Sequence, residues 1–80
     1  MMPLYTYVTV YKGESHTVQV RRSNPNGFAD WLQALPTSVR KLVRSPFGGF
    51  EPIPNRDKAW KRQETIEGDE LIVIAIQTAD

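Results

Sequence analysis

The sequence predicts an α+β fold with the element order ββαβ(β)β, in which a mixed sheet packs against one helix. Two observations lead to this prediction. Strand-like apolar runs stand near both ends of the chain, at residues 5–11 and 71–78, and a single segment between them has helical periodicity. A chain of 80 residues forms one domain, here residues 1–80, with a small core.

The first strand-like run begins a predicted hairpin. Residues 5–11 are all β-branched or aromatic, which suits a pleated surface. Residues 12–15 form a turn in which Gly13 is free to take a positive φ. Residues 16–21 alternate in polarity as a second strand does, and the two strands are expected to pair antiparallel.

A helix is predicted to follow this hairpin. Asn24 can cap its first turn, and Pro25 suits the first helical position because it has no amide to satisfy. Pro36 ends the helix, since its ring excludes the residue before it from helical space. Helical spacing forms one apolar stripe from Phe28, Trp31, Leu32 and Leu35.

The middle of the chain is less regular. Residues 38–44 fit a short helix or an exposed strand, and the strand is favoured because seven residues are too few for a stable helix. Residues 51–54 can only form a short edge segment, because their prolines cannot donate to a ladder. Residues 55–65 are either a loop pinned by Trp60 or part of a strand over residues 59–66.

The first and last strands are expected to lie side by side at the centre of the sheet. A long apolar strand at a sheet edge would pair with other chains, and a central position avoids this. The two strands would then run parallel, with the helix crossing one face. The last strand follows a charged turn over residues 66–70.

The C-terminal half contains Trp60, then Ile66, then Gly68 and Asp69 before the apolar run at residues 71–74. In these features it resembles the ubiquitin-like β-grasp superfamily, and more narrowly the sulfur-carrier proteins of thiamine and molybdopterin synthesis. The resemblance implies a β-grasp-like fold. Those carriers end in Gly-Gly, whose carboxylate is adenylated, whereas this sequence ends in Thr-Ala-Asp. Carrier activity is therefore not expected, and a degenerate sulfur-carrier-like protein stays an alternative.

The composition offers little for catalysis. With no cysteine and one histidine, His16, the sequence predicts no metal site, no cofactor and no enzymatic activity. Gly48 and Gly49 lie in a predicted turn over residues 46–50 and lack the Lys-Ser/Thr of a phosphate loop. No apolar run is long enough for a membrane span, and a cytoplasmic location is predicted.

One candidate site is the face of the sheet opposite the helix. If Leu4, Val8 and Val10 face the helix, the period-two alternation turns the tyrosines of the first strand outward. In the last strand, Ile72, Ile74 and Ile76 would then face the helix, with Leu71 and Val73 outward. Aromatic and arginine side chains are enriched at protein interfaces. The main hypothesis is therefore a small non-enzymatic protein-binding module, an adaptor or inhibitor. Its predicted partner-binding residues are Tyr5, Tyr7, Tyr11, Arg21, Leu71 and Val73.

A second candidate site is the basic middle of the chain. Residues 1–62 carry all ten basic residues and four acidic ones, whereas residues 63–80 carry five acidic residues and no basic one. This asymmetry fits either a polyanion-binding face or an acidic end that folds back on a basic body. Cations around an aromatic residue could bind single-stranded nucleic acid, or could be a solvated face with the tryptophan in the core. The alternative nucleic-acid site consists of Arg40, Lys41, Arg44, Trp60, Lys61 and Arg62.

Overall fold

A computed structural model of the chain describes residues 2–24, 29–45 and 48–79. They form one five-stranded sheet in which every neighbouring pair is antiparallel, in the order β2-β1-β5-β4-β3. The strands are β1 Leu4–Tyr11, β2 Glu14–Arg21, β3 Glu51–Pro52, β4 Ala59–Ile66 and β5 Asp69–Ala79. Among the residues described between β2 and β3, there are two short helical elements: a 3-10 segment, Asp30–Ala34, and a four-residue helix α1, Thr37–Arg40.

The predicted α+β, ββαβ(β)β fold with a mixed sheet on one helix is wrong. Where a helix was expected, the described residues contain only the five-residue 3-10 segment. The predicted strand at residues 38–44 is also wrong, because α1 occupies its beginning. The predicted helix start at Pro25 and Phe28, part of the turn at residues 46–50, and the terminal Asp80 lie outside the described residues.

The first and last strands are neighbours, as expected, but they run antiparallel and not parallel. Tyr11 lies opposite Leu71, and Tyr7 lies opposite Ala75. Parallel neighbours need a crossover connection, usually a helix, whereas antiparallel neighbours do not. An antiparallel pairing of β1 and β5 therefore agrees with the lack of a long helix among the described residues.

Two hairpins with similar turns flank the contact between β1 and β5. The turn from β1 to β2 has Lys12 and Gly13 at φ angles of 51° and 78°, and the turn from β4 to β5 has Glu67 and Gly68 at 49° and 82°. Two successive positive φ values are typical of the type I′ turn, whose twist matches that of the flanking strands. The strand alternative for residues 59–66 is thus the one that the structure adopts.

The core lies on one face of the sheet, here called the covered face. Trp31 and Leu35 are buried there, at 0% and 2% exposure, although the segment that carries them is not the predicted helix. Phe50 packs on Tyr7, with ring centroids 5.9 Å apart. The buried core consists of Tyr5, Tyr7, Tyr11, Trp31, Leu35, Phe50, Ile66, Leu71, Val73 and Ala75.

Candidate functional site

The structure reverses the two faces of the sheet relative to the prediction. The residues expected on an exposed binding surface are in the core instead. Tyr7 and Val73 are 0% exposed, and Leu71 is 1% exposed. The remaining tyrosines, Tyr5 and Tyr11, are 3% and 8% exposed. These five side chains therefore hold the domain together and present no docking surface.

Arg21 is separated from those tyrosines. It lies opposite Leu4 in the ladder, and opposite residues of an antiparallel pair share a face. Its side chain is therefore on the face that does not carry the core, where Nη1 donates to the carbonyl of Met2 at 2.8 Å. The predicted partner site thus divides between the two faces.

The face without the core, here called the open face, has an aliphatic centre. Val10 lies opposite Ile72, and Val8 lies opposite Ile74, so the side chains of β1 and β5 are direct neighbours. Val10 and Ile76 are 37% and 38% exposed. None of the described helices covers them, since the 3-10 segment packs with the core. The aliphatic patch is defined as Val8, Val10, Ile72, Ile74 and Ile76.

Polar side chains surround the aliphatic patch. On the β2 side, Thr17 lies opposite Val8, and Gln19 donates through Nε2 to the Thr6 hydroxyl at 2.9 Å. On the β4 side, Lys61 lies opposite Ile74. An uncharged centre with a polar rim is the arrangement found in protein interfaces.

The basic candidate site is not assembled, and Arg62 shows why. Arg62 is 7% exposed on the covered face, and its guanidinium stands 4.9 Å from the centre of the Trp31 ring. It donates to the carbonyls of Gly48, at 2.9 Å, and Ser45, at 2.5 Å, and pairs with Glu64 at 2.8 Å. Such a group holds the loop before β3 against the sheet and cannot reach a phosphate.

The other residues of the basic set point in different directions. Trp60 is partly buried and meets Tyr5 edge to face, with centroids 5.8 Å apart, as in the alternative interpretation that placed it in the core. Lys61 is on the open face, because strand neighbours alternate. Arg40 donates from Nε to the carbonyl of Leu35 at 3.1 Å.

The last two members of the basic set, Lys41 and Arg44, line the same cleft as Glu64 and Glu67. The carboxylates there oppose the field of the two cations. No continuous basic surface is therefore formed by the six residues that the nucleic-acid hypothesis needs.

Several polar groups are buried under the covered face. The Tyr7 hydroxyl, the Thr9 hydroxyl and Trp31 Nε1 have no hydrogen-bond partner among the described residues. Burial, and then the nearby Asp30 carboxylate, raise the pKa of Tyr7 to about 12. Asp30 accepts two hydrogen bonds of 2.8 Å from Arg22, and this bonding raises the pKa of the Arg22 guanidinium.

A cleft of about 460 Å³ opens beside the first hairpin turn, between Glu14, His16 and the apolar side chains of Leu35 and Val39. His16 Nε2 stands 3.9 Å from the Glu14 carboxylate.

Across residues 2–24, 29–45 and 48–79, no three potential metal-ligating side chains converge. Of the helices in those ranges, none has the length and apolarity that a membrane crossing requires.

The prediction divided the strand residues correctly between the two faces of the sheet, but it took the buried face to be the exposed one. Leu4, Val8 and Val10 do share a face with Ile72 and Ile74, as the alternation indicated. The signal that could have assigned the buried side is side-chain size. Tyrosine rings extend farther from a sheet than valine side chains, so they can meet a segment that crosses it.

Comparison with known proteins adds no further constraint. No protein-family model, no curated protein and no solved structure matches this chain. The resemblance to ubiquitin-like proteins is therefore neither supported nor refuted by relatives, and the fold and site stand on the geometry described above.

Proposed function

We propose that this protein is a small non-enzymatic binding module that recognises another protein through the aliphatic patch of its open face. One observation supports the proposal above others: five branched aliphatic side chains are adjacent on a sheet face that no described helix covers. Apolar surface in contact with water favours burial against another apolar surface, and contiguous patches of this kind mark interaction sites.

The rigidity of the patch favours binding as well. Its members are all valine or isoleucine, whose χ1 angles are restricted. They stand on a paired ladder between β1 and β5 rather than on a loop. A partner that docks here orders few side chains, so less of the interaction free energy is lost to entropy.

The size of the open face indicates which kind of partner it suits. Four strands spaced about 4.8 Å apart, each of about eight residues at about 3.3 Å, give a projected face of roughly 500 Å². Standard reversible interfaces bury about 800 Å² on each partner, whereas permanent dimers bury considerably more. The open face is smaller than a standard interface, so it suits weak, reversible binding of a separate protein that presents a flat, uncharged apolar surface, as an adaptor or inhibitor does.

The test compares two lysine substitutions on the same face. Ile74→Lys places a charge at the centre of the patch, and Thr65→Lys places the same charge near the end of β4, outside it. The partner is isolated from native cell extract, purified and titrated directly against each variant. We expect Ile74→Lys to weaken binding about thirtyfold or more and Thr65→Lys to change it less than about threefold.

Salt separates this function from nucleic-acid binding. An apolar interface should keep nearly the same affinity between low and moderate ionic strength, whereas binding to a polyanion should weaken steeply. Equal binding by the two lysine variants would contradict the proposal. A wild-type dimer that Ile74→Lys dissociates would replace the separate protein with a second copy of this chain.

A further inference from the structure

The aliphatic patch occupies only the two middle strands of the open face, β1 and β5, which are neighbours in the sheet. The strands on either side of them carry exposed polar side chains on the same face. On the β2 side these are Ser15, Thr17, Gln19 and Arg21. On the β4 side they are Lys61, Gln63 and Thr65. Ala59, at the start of β4, adds only a methyl group opposite Ile76. The open face therefore has an apolar middle between two polar margins.

The aliphatic patch has the width of one α-helix. Two strands about 4.8 Å apart give a width of about 10 Å once their side chains are included, and the five positions from Ile72 to Ile76 give a length of about 13 Å. An α-helix has a diameter of about 10–12 Å and rises about 1.5 Å per residue. About nine residues of a helix, roughly two and a half turns, would therefore lie along the patch.

A second sheet is the other element that commonly covers a sheet face, and the polar margins disfavour it. Two packed sheets lie about 10 Å apart and interdigitate the side chains of their whole inner faces. Such packing would take Thr17, Lys61 and Gln63 out of water, which is unfavourable for polar groups that gain no partner. An amphipathic helix instead has one apolar stripe with polar residues beside it, so its polar sides would lie over the polar strands.

We propose that the partner contributes one amphipathic α-helix, which lies along β1 and β5 with its apolar stripe on the aliphatic patch. This inference rests on the proposed function and specifies the element that the partner presents. Apolar residues spaced i, i+4 and i+7 on the helix make the contact, as in other complexes in which a helix is recognised by its apolar face. Those three positions extend over about 10 Å, which the length of the patch accommodates.

A designed peptide tests this inference before the partner is known. The probe is a capped helical peptide of about 15 residues, built from alanine, glutamate and lysine, with leucines spaced i, i+4 and i+7. The control peptide has the same composition, with the leucines distributed around the helix. Amide chemical shifts of the labelled protein report binding of each peptide. We expect the striped peptide to bind at least about tenfold more tightly than the control, and Ile74→Lys to remove that difference.

Cysteine footprinting tests the width of the covered surface, since the natural chain contains no cysteine. Val10→Cys places a thiol on the patch, whereas Thr17→Cys and Gln63→Cys place one on each polar margin. Alkylation rates are compared with and without saturating striped peptide, in variants whose circular dichroism matches the wild type. We expect alkylation at position 10 to slow about fivefold or more, and alkylation at positions 17 and 63 to slow less than about twofold. Equal protection at all three positions would overturn the single helix.

Competition separates a failure of this inference from a failure of the proposed function. The native partner, purified as described above, is bound to the wild-type chain, and the striped peptide is added. We expect the peptide to displace the partner, because both need the same patch. A partner that Ile74→Lys weakens but the peptide does not displace would overturn the helix and leave the proposed function standing, as would a striped peptide that binds no better than its control. Partner binding that Ile74→Lys does not weaken would overturn both.

Discussion

The covered face and the open face of the sheet are both apolar along β1 and β5, yet they meet different surroundings. The covered face carries tyrosines that contact Phe50 and Trp60. The open face carries valines and isoleucines that no described helix contacts. The difference teaches that hydropathy does not decide which side of a sheet is packed. The length of the side chains decides it, because a loop that crosses a sheet leaves a gap that long side chains must fill.

The covered face also contains the charged group that fixes its loop. Arg62 is buried between the sheet and the loop before β3, where two backbone carbonyls and Glu64 accept its hydrogen bonds. The open face, in contrast, keeps the cationic side chains of Arg21 and Lys61 exposed. One face is thus packed, and the other stays partly exposed.

The largest difference between the faces is expected from neighbouring alanine substitutions in β5. Leu71→Ala on the covered face should reduce the free energy of unfolding by about 3 kcal/mol or more, because it leaves a cavity in a packed core. Ile72→Ala on the open face should cost about 1 kcal/mol, since that side chain stays partly in water. Urea titrations of both variants measure this, and equal losses would contradict the assignment of the faces.

A second comparison uses adjacent cationic residues in β4. Arg62→Ala should destabilise the fold by about 2–3 kcal/mol, because it leaves the carbonyls of Ser45 and Gly48 without their donor. Lys61→Ala should change the free energy of unfolding by less than about 0.5 kcal/mol. The same urea titrations apply. Similar small effects of both substitutions would mean that Arg62 is not a structural residue.

A third comparison removes one oxygen atom from the core. Tyr7→Phe should leave the fold as stable as the wild type, or up to about 1 kcal/mol more stable, because the hydroxyl is buried and has no partner among the described residues. It should also change the response to alkali. Burial raises the Tyr7 pKa from 10.0 to about 12, so the folded state retains a proton that the unfolded state releases.

The sign of that pH effect follows from linkage. Below pH 10, Tyr7 keeps its proton in both the folded and the unfolded state. As the pH rises from 10 to about 12, the unfolded state releases this proton before the folded state does, so the free energy of unfolding falls. Chemical denaturation at pH 9, 10, 11 and 12 should show a steeper loss for the wild type than for Tyr7→Phe. Parallel curves would contradict the burial of this hydroxyl.

The smallest effect is expected on the open face. Ile76→Thr keeps a β-branched side chain on β5 and removes only part of an already exposed surface. The free energy of unfolding should change by less than about 1 kcal/mol in a thermal or urea titration. A loss comparable with that of Leu71→Ala would show that something covers this face.

The first hairpin and the neighbouring positions of β1 and β5 could be predicted because their signals are local or follow from avoiding an exposed edge, whereas β4 was only one of two alternatives for its region. The alternation even grouped Val8 with Ile74 and Tyr7 with Val73 correctly. Which group is buried could not be predicted from the alternation alone, without weighing the size of the tyrosines. That depends on where Trp31 and Phe50 arrive, and the alternation of a strand contains no information about a distant loop.

The prediction of a helix was wrong for a related reason. Trp31 and Leu35 are buried as the apolar stripe predicted, but in a 3-10 segment of five residues and the turn after it. A helix predicted between Asn24 and Pro36 is shorter than an isolated helix needs, so the conformation of its described part depends on tertiary contacts. The role of Arg62 was equally hidden, because its carbonyl partners lie 14 and 17 positions away in the chain.

The contact between β1 and β5 also determines how the chain is expected to fold. Each hairpin closes over a two-residue turn, a local event on the order of microseconds. Joining them requires Tyr11 to meet Leu71, 60 positions later, and the Tyr11 hydroxyl to reach the Ile66 carbonyl. The loop-closure entropy of that step is lost before the core contacts form. Two preformed hairpins that dock slowly along one seam are therefore the expected folding route.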